Sequence, residues 1–379
     1  MQGNQELHLS GDRFTVEYSL FGTRTEIDQM TTAIIVEDTI EFPYELLPEG
    51  EIKDQVVGKV EDVKQVGENH FHVTISYAVE ITAFTIAQLL NVVLGNISLM
   101  PNIRVERINL TPSLAAKFSG PRFGREGLRK ILGVPHRPLL STALKPMGLS
   151  YKELAEMGYQ VAKGGIDIIK DDHGISNQPF SKFRERVQYN QEAIEKANKE
   201  TGRKSIFLPN ITGRADELLE NAHFAKKVGC GGLMVLPAHT GWDAVRMLSE
   251  DDSLGLPIMT HPSFSGSYVV SPTAGFSPYT WFGQIARLAG SDMSIFINFG
   301  SRFASTKEDC LSVVKGTADP MYNIKPIFPV AGGGITMKNV PDMKQVYDNE
   351  MIYLMGGGLH KAGPDLIANS HNFLESLES

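Results

Sequence analysis

Eight short apolar segments, each followed by helix-like sequence, fill the chain from about residue 135 to its end and leave few ways to fold it. They read PLLSTAL, IDIIK, SIFLPNI, GLMVLP, LPIMTH, SIFINFG, IFPVAGGG and MIYLMGGG. The stretches between them, among them SYKELAEMGYQVAKG, RADELLENAHFAKKVG and TKEDCLSVVKG, repeat apolar residues at helical spacing. Eight β/α units in about 240 residues are the size of a closed (β/α)8 barrel. A doubly wound open sheet competes, but it rarely needs eight consecutive units. Ahead of them come a strand (RFTVEYSLFG), a helix (EIDQMTTAIIVED), two alternating strands (DQVVGKVEDV and NHFHVTISYAV), a helix (TAFTIAQLLNVVLGN) and a strand (RVERINL). The expectation is an α/β chain with an N-terminal α+β ferredoxin-like domain over 1–120. A connector rich in Gly, Pro and Arg then leads to a C-terminal (β/α)8 TIM barrel over 135–379 that carries the active site.

Bulk properties narrow the function. The 379 residues carry a net charge of -8, and no Lys- or Arg-rich stripe supplies the footprint nucleic acid needs. The opening MQGNQELHLSGDRF has no apolar signal core, and no apolar run approaches the roughly 20 residues that span a bilayer. A soluble, cytoplasmic protein that binds neither nucleic acid nor membrane is expected. Cys230 and Cys310 stand far apart without Cys or His at ligand spacing, so each reads as a small core residue.

In such a barrel, chemistry sits where the strands end. Residues 165–173 form an apolar strand that ends in Lys170, Asp171, Asp172 and His173. Alternation lets Lys170 and Asp172 point the same way, with His173 beside them as the loop begins. CO2 adding to a neutral Lys170 amine would give a carbamate, whose oxygens with the Asp172 carboxylate suit Mg2+. The plainer reading is a solvated charge cluster. Gly332, Gly333 and Gly334 close the seventh strand, and Gly356, Gly357 and Gly358 close the eighth. Backbone N–H groups there can approach an anion unobstructed, in the loops where barrels commonly hold phosphate. The alternative is that glycine only turns the chain. Lys145, Asn210, His239, His261 and Arg302 also follow strands. Lys145 and His261 are the candidate proton carriers, and Asn210 and Arg302 candidate substrate contacts.

GPRFG at 120–124, KPMGLS at 145–150, GGIDIIKDDH at 164–173, NQPFSKFRERV at 177–187, PVAGGGI at 329–335 and the glycines at 356–358 stand together in one order. In that order the chain resembles the RuBisCO large-chain family, and more closely its non-carboxylating RuBisCO-like (form IV) members. The resemblance implies a Mg2+ site with carbamylated Lys170 and with Asp172 as ligand. His173 stands where the family has a glutamate ligand, so it is either a weaker ligand or a proton carrier. It further implies a homodimer in which Asn96 enters the neighbouring subunit's site. After the fifth strand the family's His-Arg pair is His261-Pro262 here, which loses a grip on a second phosphate. Arg302 is the nearest cation to the family's CO2-holding loop lysine.

The resemblance therefore implies a Mg2+-dependent enzyme that enolises a singly phosphorylated keto sugar or 3-oxo sugar acid without net CO2 fixation. Cleavage or decarboxylation of 3-oxo-isoapionate 4-phosphate, as by the transcarboxylase/hydrolase relatives, is the first expectation. Isomerisation of 5-methylthioribulose 1-phosphate in sulfur salvage is the second. An enolase acting on 2,3-diketo-5-methylthiopentyl 1-phosphate is less favoured, because those relatives keep the glutamate that is His173 here. A rival of another class is an idle barrel that binds a phosphorylated metabolite as a regulator.

Overall fold

The computed structural model describes residues 7–378. Strands β1 (Arg13–Phe21), β2 (Lys59–Gly67), β3 (His70–Ala78) and β4 (Ile103–Asn109) form an antiparallel sheet with β1 paired to both β3 and β4. Alternate residues of β1 (Phe14, Val16, Tyr18, Leu20) are fully buried beneath the helices Arg24–Glu37 and Ile86–Leu94, so period two in the sequence becomes one packed face. The expected strand DQVVGKVEDV is displaced. Ile52–Val56 is a helical turn and β2 begins at Lys59. Nearly every residue of β2 is exposed, so no buried face marked its register in the sequence.

The second sheet is the expected barrel. Its strands are β5 (Leu139–Leu144), β6 (Ile168–Asp171), β7 (Ile206–Leu208), β8 (Leu233–Val235) and β9 (Ile258–Thr260). After the two-residue strand β10 (Gly275–Phe276) come β11 (Met293–Ile297), β12 (Phe328–Gly332) and β13 (Ile352–Leu354). All paired neighbours in this sheet are parallel. The sheet closes between β7 and β8, where Ile211 N donates to Met234 O and Met234 N to Pro209 O. β10 lies outside it and extends the N-terminal sheet, parallel to β4.

The barrel interior is apolar up to the mouth at the C-terminal ends of its strands. Leu139, Ile168, Ile206, Met259, Phe328 and Ile352 belong to one buried cluster, shared with Leu128 and Leu132. Those two leucines come from the helix Gly124–Leu132, which lies in the stretch taken from sequence as a connector. Phe123 N and Gly124 N donate to Asp292 Oδ1, fastening that helix to the barrel. Cys230 and Cys310 are buried and unbridged. Among the described residues no helix is long and apolar enough to cross a membrane.

Outside the barrel, Asp171 meets Arg186 of the helix Phe183–Thr201 at 3.1 Å, with both side chains fully buried. Arg186 Nη1 also donates to the carbonyls of Ser176 and Ser181, and Asn210 N donates to Asp171 Oδ2. Removing one partner strands the other charge without water. Arg186→Met is expected to lower unfolding free energy by about 3–5 kcal/mol in a denaturant titration. Adding Asp171→Asn should return part of that loss.

Candidate active site

Alternation along β6 sets the site. Ile168 faces the barrel interior, so Lys170 and Asp172 share its direction, whereas Ile169 packs in the outer core and Asp171 turns to Arg186. Asp172 N donates to Leu144 O, which prolongs the β5–β6 ladder by one residue and holds the carboxylate over the mouth. There a cleft of about 1400 Å³ is walled by Lys145, Lys170, Asp172, His173 and His261, together with both triple-glycine turns and Arg302.

Asp172 is the hub. Its Oδ2 lies 3.4 Å from Lys145 Nζ and its Oδ1 3.5 Å from His173 Nδ1, while Gly174 N donates to Oδ1 at 3.2 Å. The His173 ring stacks on that of His261, with centroids 4.4 Å apart and planes 15° from parallel. Ser263 N donates to His261 Nδ1, so in the neutral ring Nε2 carries the proton. Gly356 leaves room beside the flexible end of Lys145. A Cβ at Gly356 would stand 3.1 Å from both Cε and Nζ of the lysine. Across the mouth, Gly333 and Gly334 hold φ of +92° and +72°, a conformation that suits glycine and turns the backbone at the cleft wall.

Burial governs the charges. It pushes the Lys170 amine down to about 8, with Asp172 opposing and Lys145 assisting. It would raise Asp172, but Lys170, the Gly174 N–H and Lys145 hold that carboxyl below its ordinary range. His173 is lowered by burial and by the two lysines against the pull of Asp172, and His261 is lowered further by burial and the same cations. Near neutral pH both imidazoles are therefore uncharged.

Lys170, Asp172 and His173 can accept a divalent cation in one form of the lysine. Among the described residues no three His, Cys, Asp or Glu side chains converge as a ready-made metal site. With Lys170 as an ammonium, two amines face one carboxylate and a cation is repelled. As a carbamate, Lys170 contributes anionic oxygen beside Asp172, and His173 adds nitrogen, so the donor chemistry then fits.

All the catalytic, metal and phosphate candidates named from sequence reach this cleft, namely Lys145, His261, His173, Lys170, Asp172, Gly332, Gly333, Gly334, Gly357 and Gly358, as does Arg302. One expected substrate contact, Asn210, does not, and Asn96, expected in the neighbouring subunit's cleft, lies away from its own. Asn210 is buried off the cleft wall because its amide donates to His173 O and Ile175 O, fixing the His173 loop instead. Asn96 is exposed on the N-terminal sheet half and donates to Glu41 Oε1. Two cations on the wall went unremarked in the sequence. Lys361 ends the turn begun at Gly357, and counting three residues from the end of the last glycine run would have found it. Arg104 comes from β4 and reaches the wall only because β4 pairs with β10, a juxtaposition without local signal.

Residues 124–368 match the family model described as ribulose bisphosphate carboxylase large chain, catalytic domain. A 5-methylthioribulose-1-phosphate isomerase of Rhodospirillum rubrum is 30% identical, covering 97% of this chain and 96% of the relative. A 2,3-diketo-5-methylthiopentyl-1-phosphate enolase of Bacillus licheniformis is 34% identical over 81% of this chain and 76% of its own. The crystal structure of a Rubisco-like protein from Rhodopseudomonas palustris superposes with a TM-score of 0.87 at 30% identity, covering 97% of each chain.

Because the Lys170 amine is pushed down to about 8, its neutral, CO2-reactive form grows as pH rises through that value. With labelled bicarbonate and dissolved CO2 held constant, carbon NMR should show a carbamate resonance that rises across this range. Lys170→Arg should remove it; a resonance that persists in the variant would place the carbamate elsewhere.

Proposed function

The chain belongs to the ribulose bisphosphate carboxylase large-chain family, and from that membership we propose that it is a RuBisCO-like enzyme that enolises a keto compound bearing one phosphate, without net CO2 fixation. The observation that carries this reading is the convergence, in one cleft, of two lysines, one carboxylate and two stacked neutral imidazoles with two glycine turns. Glycine turns bind a phosphate through backbone N–H groups. The amines and imidazoles supply proton carriers next to where its carbonyl would lie.

In this reading the turns at Gly332–Gly334 and Gly356–Gly358 anchor the phosphate and orient the carbon chain toward Lys170. Lys145, steered by Asp172 and given room by Gly356, moves the proton at the carbon next to the carbonyl. His261, with its Nδ1 occupied by Ser263, offers the Nε2 proton to oxygen as charge develops there. His173 lies flat against His261 and holds its ring plane. A divalent cation, held by carbamylated Lys170, Asp172 and His173, would supply Lewis-acid polarisation of the carbonyl. The protein is read as a homodimer, with Asn96 of one protomer serving its partner's cleft, which agrees with its exposure away from its own.

Two reactions share this first step. One is cleavage of a 3-oxo sugar acid phosphate of the 3-oxo-isoapionate 4-phosphate type. The other is isomerisation of 5-methylthioribulose 1-phosphate, favoured by the full-length similarity to the R. rubrum isomerase. The enolase similarity covers less of the chain, and His173 argues against that reaction.

Incubation of the protein with each phosphate ester in deuterated water, in the presence of bicarbonate and a divalent cation, is expected to incorporate deuterium next to the carbonyl of one of them. Asp172→Asn and Lys145→Met should each slow that exchange by about 10²–10⁴-fold. Phosphate-ester binding without exchange, unchanged by Lys170→Ala with Asp172→Ala, would mark a binding protein and not an enzyme.

A further inference from the structure

We propose that His173 turns the cation site away from Mg2+ and toward a zinc-type first-row ion. The inference rests on the reading of Lys170, Asp172 and His173 as that site. Mg2+ takes oxygen donors almost exclusively, whereas Zn2+ and Co2+ accept imidazole nitrogen beside carboxylate oxygen. Here the third donor is a nitrogen, and the other carboxylate on the cleft wall, Asp309, is engaged by the N–H and hydroxyl of Thr306 at the start of its own helix. The groups that meet Asp172 are Lys145, His173 and the Gly174 N–H, with the Lys170 charge close by, and none of them is an anionic oxygen.

The spacing agrees. His173 Nδ1 and Asp172 Oδ1 are 3.5 Å apart, too far for a good hydrogen bond. Donors at Mg2+ bond lengths and right angles lie about 2.9 Å from each other. On a tetrahedral ion at about 2.1 Å the edge is about 3.4 Å. The ring is also held in place, since His261 stacks on one face and Asn210 ties down the His173 carbonyl. The separation of ring and carboxylate is thus compatible with the edge of a four-coordinate ion and wider than the edge of a Mg2+ octahedron. A zinc-type ion polarises a carbonyl as Mg2+ does, so the chemistry proposed above is kept.

The test uses the full-length protein, stripped of metal and equilibrated with bicarbonate. Calorimetric titration with zinc and magnesium chlorides gives an affinity ratio, and titration with cobalt chloride gives a visible spectrum that reports coordination number. Wild type is expected to favour zinc and to give the intense bands of four-coordinate cobalt. His173→Glu should reduce the zinc-to-magnesium ratio by at least about tenfold and weaken the cobalt bands. His173→Gln, which keeps the side chain neutral and offers oxygen, should shift both in the same direction, with circular dichroism confirming that each variant is folded. An unchanged ratio and spectrum in both variants would overturn the metal preference while leaving a cation site in place. Absence of binding by any of the three ions to wild type would instead remove the cation site, and the preference with it.

Discussion

The buried ion pair between Asp171 and Arg186 is the constraint from which the mouth of the barrel follows. A strand offers its side chains to two sides in turn, and one residue of slip would exchange the inward and outward sets. By fixing Asp171 outward against a helix, with Arg186 also gripping the carbonyls of Ser176 and Ser181, the pair leaves Lys170 and Asp172 only the interior. Burial of two opposite charges is costly in itself. Its return is positional, because an amine that is 1% exposed could not otherwise be held among apolar strands.

Charge balance then decides what the cleft can bind. Asp172 is shared between Lys145 on one oxygen and His173 on the other, and burial, reinforced by Lys170 and Lys145, keeps both imidazoles neutral. With Lys170 as an amine the site is thus electropositive, and in the proposed reading it would accept a cation only once that lysine carried CO2. The cleft thus has glycine backbone on one wall and ionisable side chains on the other, which in the proposed reading would keep a phosphate apart from a cation.

Much of this was legible in the sequence where a local rule ties residue type to geometry. The eight strands followed from short apolar runs, and the inward pairing of Lys170 and Asp172 from a period of two. The glycine turns followed from their repetition after two successive strands. What failed to show was non-local. The stretch taken as a linker holds the helix whose Leu128 and Leu132 complete the interior cluster, a fact fixed by Asp292 far along the chain. Asn210 looked like a ligand because it follows a strand, yet its amide is consumed by backbone carbonyls. The exposed strand β2 carried no apolar stripe by which to place it.

The two-residue strand β10 joins the loop after β9 to the N-terminal sheet. That loop begins at His261 and passes Ser265, which accepts from Trp281 Nε1, and Tyr268, which stacks on the same tryptophan at 4.5 Å. The halves of the molecule are consequently not interchangeable modules. A foreign N-terminal half grafted onto this barrel would have to reproduce the edge of β4, or the segment that follows His261 would lose its anchor.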